Sequence, residues 1–157
     1  LRVRANGRLP GAVFTADGGE PLGLKLDVQL TTLDRLSKLE VIQNGKVTQT
    51  IPCNGDRNQA HSLPLTVNES GWFLIRGIAE NPKTFRFAST APFYVELGQE
   101  KRRISKSSSR FFLDWVNERI ERVKANITDK SQQAEVLRFH ESARKFWQER
   151  VRQSNAD

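Results

Sequence analysis

The residues of this chain that could do chemistry are few and lie far apart in sequence. There are two histidines, His61 and His140, and one cysteine, Cys53, among 157 residues. Nucleophilic, acid–base and metal-assisted catalysis all need polar groups that converge on one point. Neither histidine has a metal-ligand spacing such as His-x-His, Cys53 has no neighbouring base, and the glycines form no phosphate-binding loop. The sequence therefore predicts no catalytic residue, no metal site and no cofactor.

Arginines that interrupt apolar strands are the remaining candidates for a site. In "WFLIRGI" (72–78), a period of two places Arg76 on the same face as Trp72 and Leu74. We expect this guanidinium to be buried and therefore paired. Because Glu40 interrupts another apolar strand, we predict a structural ion pair between Glu40 and Arg76.

A functional alternative uses the same arginine in a binding surface. Arg86 opens the segment "RFASTAPFYVEL", and side chains on neighbouring strands could face one partner together. This alternative predicts a face that is directed toward an anion or a neighbouring domain and that consists of Arg76, Arg86, Thr90 and Tyr94.

The elements that carry these residues show a period of two over the first hundred residues. In residues 22–30, leucine and valine alternate with polar residues, as in a half-buried strand. Asn44-Gly45 separates two β-rich arms and favours a type I′ hairpin turn. Segments of this kind predict an antiparallel, immunoglobulin-like β-sandwich of seven or eight strands over residues 1–100. They are residues 11–14, 22–30, 39–43, 46–51, 61–67, 72–78, 84–88 and 92–97.

The period changes to that of helices after Leu97. Phe112, Trp115, Val116, Ile120, Val123 and Ile127 form one stripe, and a second stripe comprises Val136, Phe139 or His140, Ala143, Phe146 or Trp147, and Val151. Serines 107–109 are candidate caps for the first helix, and Thr128 or Asp129 for the second. The segment "TDK" is a short connection, so the helices should be antiparallel. We predict that residues 101–157 form a basic joint and an αα-hairpin that packs on the sandwich.

Charge and aromatic residues leave two binding hypotheses open. Residues 1–100 hold 11 Lys+Arg and 10 Asp+Glu, whereas residues 101–157 hold 14 and 8. The basic joint "EKRRISK" and the helices could bind an acidic polymer, although the mixed charges on the helices favour solvated faces over a nucleic-acid groove. Trp72, Trp115 and Trp147 lie on apolar stripes, which favours core or junction packing over a sugar-binding platform. No apolar run reaches the roughly 20 residues of a membrane helix, and no signal peptide is evident at residues 1–14.

The order of motifs resembles the C-terminal region of PHP-type metallohydrolases of the CehA/McbA, carbaryl-hydrolase-like group. The resemblance covers nearly the whole chain. Its segments are "NGRLPGAVF", "LDRLSKLEVIQNGKV", "ESGWFLIRGI", "FASTAPFYVEL", "SRFFLDWVNERIERV" and "ESARKFWQERV". Glu40, Asn44, Gly45, Trp72, Arg76, Thr90, Pro92 and Tyr94 take the family positions, whereas Ser89 stands where the family usually has histidine.

The resemblance implies a non-catalytic accessory domain of a larger metal-dependent hydrolase. In this family a metal-binding PHP domain comes first and holds the ligands, and many members are exported. Because the chain starts at Leu1 and contains no methionine, we expect it to be a piece of such a protein, with the N-terminal catalytic domain as its partner. The competing hypothesis is a free-standing module that binds an acidic polymer or partner through the basic joint and helices.

Overall fold

Strands occupy the first unit of the chain and helices occupy the second. The computed structural model describes residues 1–17, 20–98 and 102–157, which divide into the units Leu1–Arg102 and Arg103–Asp157. Within these residues there are nine strands and two helices. They are β1 (Arg2–Ala5), β2 (Val13–Ala16), β3 (Leu22–Thr31), β4 (Lys38–Gln43), β5 (Lys46–Pro52), β6 (Asn58–Val67), β7 (Gly71–Ile78), β8 (Phe87–Ser89), β9 (Phe93–Leu97), α1 (Lys106–Asn126) and α2 (Lys130–Arg152).

The strands form two sheets that enclose one hydrophobic core. The first sheet has the order β1-β3-β6, and the second has the order β2-β9-β7-β4-β5, with β8 paired to β7. Alternate residues of both sheets are buried in the same cluster, among them Leu26 and Val28 of β3 and Ile75 of β7. At its centre the rings of Phe73 and Phe93 stack at 4.9 Å between centroids. These features define a β-sandwich.

The order of the strands follows the immunoglobulin-like pattern. Strands β1, β3 and β6 face β4, β7 and β9, as strands A, B and E face strands C, F and G in that fold. Asn44 and Gly45 join β4 to β5 with φ of 48° and 86°, and positive φ at both residues is what a type I′ turn requires. The predicted immunoglobulin-like sandwich and its Asn44-Gly45 hairpin are both confirmed.

Two details of the sandwich differ from the prediction. Strand β1 was not predicted, because "RVRA" is short and only Val3 and Ala5 mark its buried face. The sheet is also not wholly antiparallel, since β2 pairs with β9 in parallel. The chain leaves the first sheet after β1 and enters the second as β2, which runs in the direction of β9.

The two helices pack as an antiparallel hairpin joined by residues 127–129. Ser109, Val116, Ile120 and Val123 are the buried residues of α1, at intervals of seven, four and three. The predicted caps, serines 107–109, lie inside the helix, because Ser105 is the N-cap and accepts a hydrogen bond from the Ser108 amide. Asp129 caps α2, as one of the two predicted alternatives.

The structure decides between the alternative residues in the stripe predicted for α2. His140 and Trp147 are half-buried, whereas Phe139 and Phe146 are 62% and 49% exposed. The helical hairpin is thus confirmed, and its packing on the sandwich stays a prediction. Among the described residues, no helix combines the length and the low polarity that crossing a membrane requires.

Candidate functional site

Arg76 lies on the outer face of the six-stranded sheet. Phe73 and Ile75 of β7 are buried in the core, so the alternate residues Trp72, Leu74 and Arg76 point outward. The Arg76 side chain is 36% exposed. The expectation of a buried guanidinium was therefore wrong, because an apolar strand in a sandwich has an outer face that accepts a polar side chain.

The partner predicted for Arg76 is in contact with it. Glu40 of β4 is directly opposite Arg76 of β7, and the Arg76 Nη2 and Nε atoms donate to Glu40 Oε2 at 2.7 and 3.1 Å. Lys38 Nζ lies 3.2 Å from the other oxygen. The Arg76 guanidinium lowers the pKa of the Glu40 carboxyl below its ordinary value, and burial opposes that shift only in part.

Arg86 has its own carboxylate partner. Its Nη1 atom donates to Asp34 Oδ2 at 2.9 Å, and Asn81 Nδ2 donates to Asp34 Oδ1 at 3.3 Å. The hydrogen bond from Arg86 lowers the pKa of the Asp34 carboxyl. Both arginines are therefore paired with acidic side chains, which leaves little uncompensated positive charge at either residue for an anion.

The hydroxyl of Thr90 completes the pairing of the sheet. It accepts a hydrogen bond from the Ile75 amide at 3.2 Å, and the Thr90 amide donates to the Ile75 carbonyl at 3.0 Å. Thr90 thus bonds to β7 between Ser89, where β8 ends, and Phe93, where β9 begins. Its side chain serves backbone pairing in this structure.

The four residues of the predicted anion-facing surface are spread along β7. Tyr94 is opposite Trp72, whereas the Arg86 carbonyl accepts a bond from the amide of Ala79. Trp72 and Ala79 are seven positions apart, and seven residues of a strand span about 23 Å. Tyr94 and Arg86 are therefore separated by about this distance along the sheet. Arg76 lies between these two points, so the four side chains do not converge on one small ligand.

An apolar stripe crosses the same outer face. Trp72 and Tyr94 are 36% and 43% exposed, so Trp72 does not pack in the core, and junction packing stays a prediction for this residue. The register of the paired strands extends this row of apolar residues to both edges of the sheet. Val13 is opposite Tyr94 at one edge, and Ile42 is opposite Leu74 on one side and Val47 on the other, at the second edge. We call Val13, Tyr94, Trp72, Leu74, Ile42 and Val47 the sheet stripe.

A second feature explains two motifs whose role was not predicted. The Asn44 side-chain oxygen accepts from the Trp72 amide at 3.0 Å, and its nitrogen donates to Glu69 Oε1 at 2.9 Å. A Cβ atom on Gly71 would lie 1.9 Å from that oxygen. Asn44 and Gly71 therefore join the β4–β5 turn to the start of β7. In the sequence, the two dipeptides Asn44-Gly45 and Gly71-Trp72 were the available signal for this contact.

The histidine, cysteine and acidic side chains that the structure describes do not form a metal-binding cluster. Among the described residues, no three His, Cys, Asp or Glu side chains lie close enough together to hold a metal ion. Burial raises the pKa of the Cys53 thiol, which disfavours the thiolate nucleophile. His61 lies on the inward side of β6, and its buried Nε2 atom has no hydrogen-bond partner among the described residues.

A cavity of about 150 Å³ lies beside Arg86 at the edge of the sandwich. Asp34, Leu36, Gly77 and Phe87 are among the residues that line it. Pockets for metabolites usually measure roughly 300–1,000 Å³. The cavity is therefore too small for a ligand of that size.

The basic joint and helices carry many cations that are already paired. Glu100 and Lys101 of the joint lie outside the described residues. On the helices, four cations contact carboxylates three or four residues away, which is typical of a solvated face. These pairs are Arg122–Glu118, Lys124–Glu121, Arg144–Glu141 and Arg152–Glu149.

Comparison with known proteins assigns no family. No family model matches the chain, and no curated protein matches it. Among solved structures, it is similar to a fibronectin(III)-like module of Clostridium thermocellum CbhA, with 16% identity and a TM-score of 0.35. The match covers 59% of this chain and 93% of that module. A likeness of this degree assigns neither fold nor function, and the fold described above rests on the geometry of the chain itself.

Proposed function

We propose that this chain is a non-catalytic accessory domain of a larger PHP-type metal-dependent hydrolase and that it packs on the catalytic domain through the sheet stripe. The motif order of the sequence suggests the parent enzyme. The arrangement of the outer sheet face suggests the mode of contact, because its arginine is paired with a carboxylate and four of the six apolar residues of the stripe are exposed.

The sheet stripe is the observation that carries this proposal. Val13, Trp72, Tyr94 and Val47 are 36–48% exposed and come from four different strands. Monomeric proteins seldom expose contiguous apolar surface of more than a few hundred Å² unless it contacts something. A rigid sheet that presents tryptophan and tyrosine supplies the residue types that dominate binding energy at protein interfaces.

The ion pair beside the stripe supports a protein contact over a substrate site. Glu40 neutralises Arg76, and Glu40 lies two residues from Ile42 of the stripe on the same face of β4. A site for an anionic substrate would present unpaired cations at its centre. Paired charges at the border of an apolar area are instead typical of an interface rim.

The coding DNA upstream of Leu1 provides the first test. We expect an in-frame PHP domain with a His-x-His metal motif. An upstream reading frame that encodes no such domain would contradict the assignment to this class of enzyme.

Binding of the separately purified PHP domain provides the second test. We expect the Trp72→Ser/Leu74→Ser variant to bind at least about tenfold more weakly by titration calorimetry, since a buried aromatic anchor commonly contributes more than 1.4 kcal/mol. Leu33→Ser is the matched control, because Leu33 is 87% exposed and lies outside the stripe. Equal binding by all three proteins, with unchanged thermal unfolding, would refute the stripe as the interface.

A further inference from the structure

The helical hairpin has a second apolar face beside the one that joins its helices. On α1, Phe112, Trp115 and Arg119 follow each other at intervals of three and four. On α2, Phe139, Ala143, Phe146 and Arg150 follow at intervals of four, three and four. Each series is a stripe along one side of its helix, next to the stripe that faces the other helix.

The two stripes form one continuous surface. The ring of Phe112 stacks on Trp147 at 4.7 Å, and Trp147 contacts the ring of Phe146 edge-on at 5.1 Å. Phe112, Trp115, Phe139 and Phe146 are 37%, 55%, 62% and 49% exposed. We call these four residues and Trp147 the aromatic face. The exposure of Trp115 likewise excludes core packing for this residue and leaves junction packing as a prediction.

Arginines accompany the aromatic face. The guanidinium of Arg150 lies 5.0 Å from the centre of the Phe146 ring, and that of Arg138 lies 5.1 Å from the Phe139 ring. Arg119 continues the stripe of α1 and, within the part of the chain that the structure describes, has no carboxylate within ion-pair distance. Arginine beside tryptophan and phenylalanine is the composition of interface hot spots.

We propose that the aromatic face binds an acidic amphipathic helix of a partner protein. Two antiparallel helices leave a groove along their common side, and a third helix can lay its apolar ridge into such a groove. Ala143 provides a small residue between the rings of Phe139 and Phe146, where a partner side chain fits. Glutamate or aspartate on the flanks of that helix would meet Arg119 and Arg150.

Charge and geometry favour this occupant over three others. A second copy of the hairpin would bring the same arginines against each other. Single-stranded nucleic acid needs free ring faces for stacking, but guanidinium groups lie over Phe139 and Phe146. Membrane-surface helices keep their cations on the side opposite to the aromatic residues, whereas here both share one side.

A designed peptide tests the chemistry of the groove. The probe is a fluorescein-labelled amphipathic helix of about 20 residues, which matches the length of α1 and α2, with leucine at heptad positions and glutamate on its flanks. One control peptide has the same composition in scrambled order, and another has lysine in place of glutamate. We expect the acidic patterned peptide to bind the 157-residue chain at least about tenfold more tightly than either control by fluorescence anisotropy.

Variants locate the binding on the aromatic face. We expect Phe139→Ala/Phe146→Ala to reduce binding of the acidic peptide at least about tenfold, and Arg119→Glu/Arg150→Glu to reverse the preference toward the lysine peptide. The matched control is Lys145→Ala/Gln148→Ala, which alters exposed residues on another side of α2 and should leave binding unchanged. Circular dichroism confirms that each variant keeps its helices.

Four results would overturn this proposal. The first is equal binding of the patterned and scrambled peptides. The second and third are binding of a thymidine oligonucleotide, or of phosphatidylglycerol vesicles, that is tighter than binding of the acidic peptide. The fourth is a dimer of the chain that the Phe139→Ala/Phe146→Ala variant abolishes. The proposal uses residues of the second unit alone, so it stands or falls independently of the sheet stripe and of the PHP domain.

Discussion

At the scale of single residues, Arg76 shows how an arginine on an apolar strand can be structural. Its guanidinium makes two hydrogen bonds to one oxygen of Glu40, 36 positions away in sequence. Glu40 is 12% exposed on its side chain and Arg76 is 36% exposed. Loss of the arginine would leave a largely covered carboxylate with Lys38 as its remaining cation, so the pair should contribute to stability more than a fully exposed one.

A double-mutant cycle measures that contribution. We expect Arg76→Ala to cost about 1 kcal/mol of unfolding free energy and to couple to Glu40→Gln by about 0.5–1 kcal/mol, because part of the pair remains open to solvent. Urea unfolding gives each value. The control is the same cycle for Arg35 and Glu80, whose charged atoms are 3.5 Å apart and whose side chains are 75% and 45% exposed. Its coupling energy should be zero within experimental error. Strictly additive losses for Glu40 and Arg76 would show that they do not act as a pair.

At the scale of elements, the loop between β3 and β4 supplies part of the core. Leu36 in this loop is 6% exposed and reaches β7 at Gly77, where a Cβ atom would lie 2.6 Å from Leu36 Cδ2 and 2.7 Å from Leu39 Cδ2. Gly77 is therefore glycine because a loop leucine and a β4 leucine cover its inner side. The alternation of β7 separated the two faces of the strand but did not show which face points inward or which side chains would cover Gly77.

Substitution of alanine at Gly77 tests this packing. Because Leu36 and Leu39 are buried and have little room to move, Gly77→Ala should lower the unfolding free energy by about 1–3 kcal/mol. Gly23→Ala is the matched control in β3, since no atom lies within 4 Å of its Cβ position, and it should be neutral or stabilise by up to about 1 kcal/mol. Equal losses of thermal stability at the two glycines would contradict the contact with the leucines.

At the scale of the whole molecule, acid sensitivity should come from the sandwich. The pKa values of Glu40, Asp34 and Asp27 are lowered, chiefly by hydrogen bonds from Arg76, Arg86 and Ser62, respectively. A carboxyl with a lowered folded-state pKa binds its proton more readily in the unfolded chain. Its stabilisation is therefore fully present above the unfolded pKa of about 4 and is lost as the pH falls through the folded pKa.

Thermal melts between pH 7 and pH 2 check this prediction. We expect the midpoint to change little from pH 7 to about pH 5 and to fall below about pH 4. The Asp34→Asn/Glu40→Gln variant should start less stable at pH 7 and lose less on acidification. An identical pH profile in this variant would show that other groups cause the acid sensitivity.

The sequence by itself determined the class of fold and the position of most elements. A period of two in residues such as Leu24, Leu26 and Val28 requires a half-buried strand, the Asn44-Gly45 pair requires a tight turn, and the spacing of Val116, Ile120 and Val123 requires a helix seam. These are local properties of the backbone and of hydrophobic burial. They are therefore readable from neighbouring residues.

The tertiary structure alone decided which residues meet and which faces stay open. The Glu40–Arg76 pair was predicted from the sequence, but only the structure placed Asn44 against Gly71 and put the aromatic side chains of Trp72 and Trp115 on exposed faces rather than in a core. An apolar residue on a strand or helix has the same local pattern whether its side meets a second sheet, a second helix or solvent. Only the packing of distant segments distinguishes these cases, because burial depends on the three-dimensional neighbours of a residue.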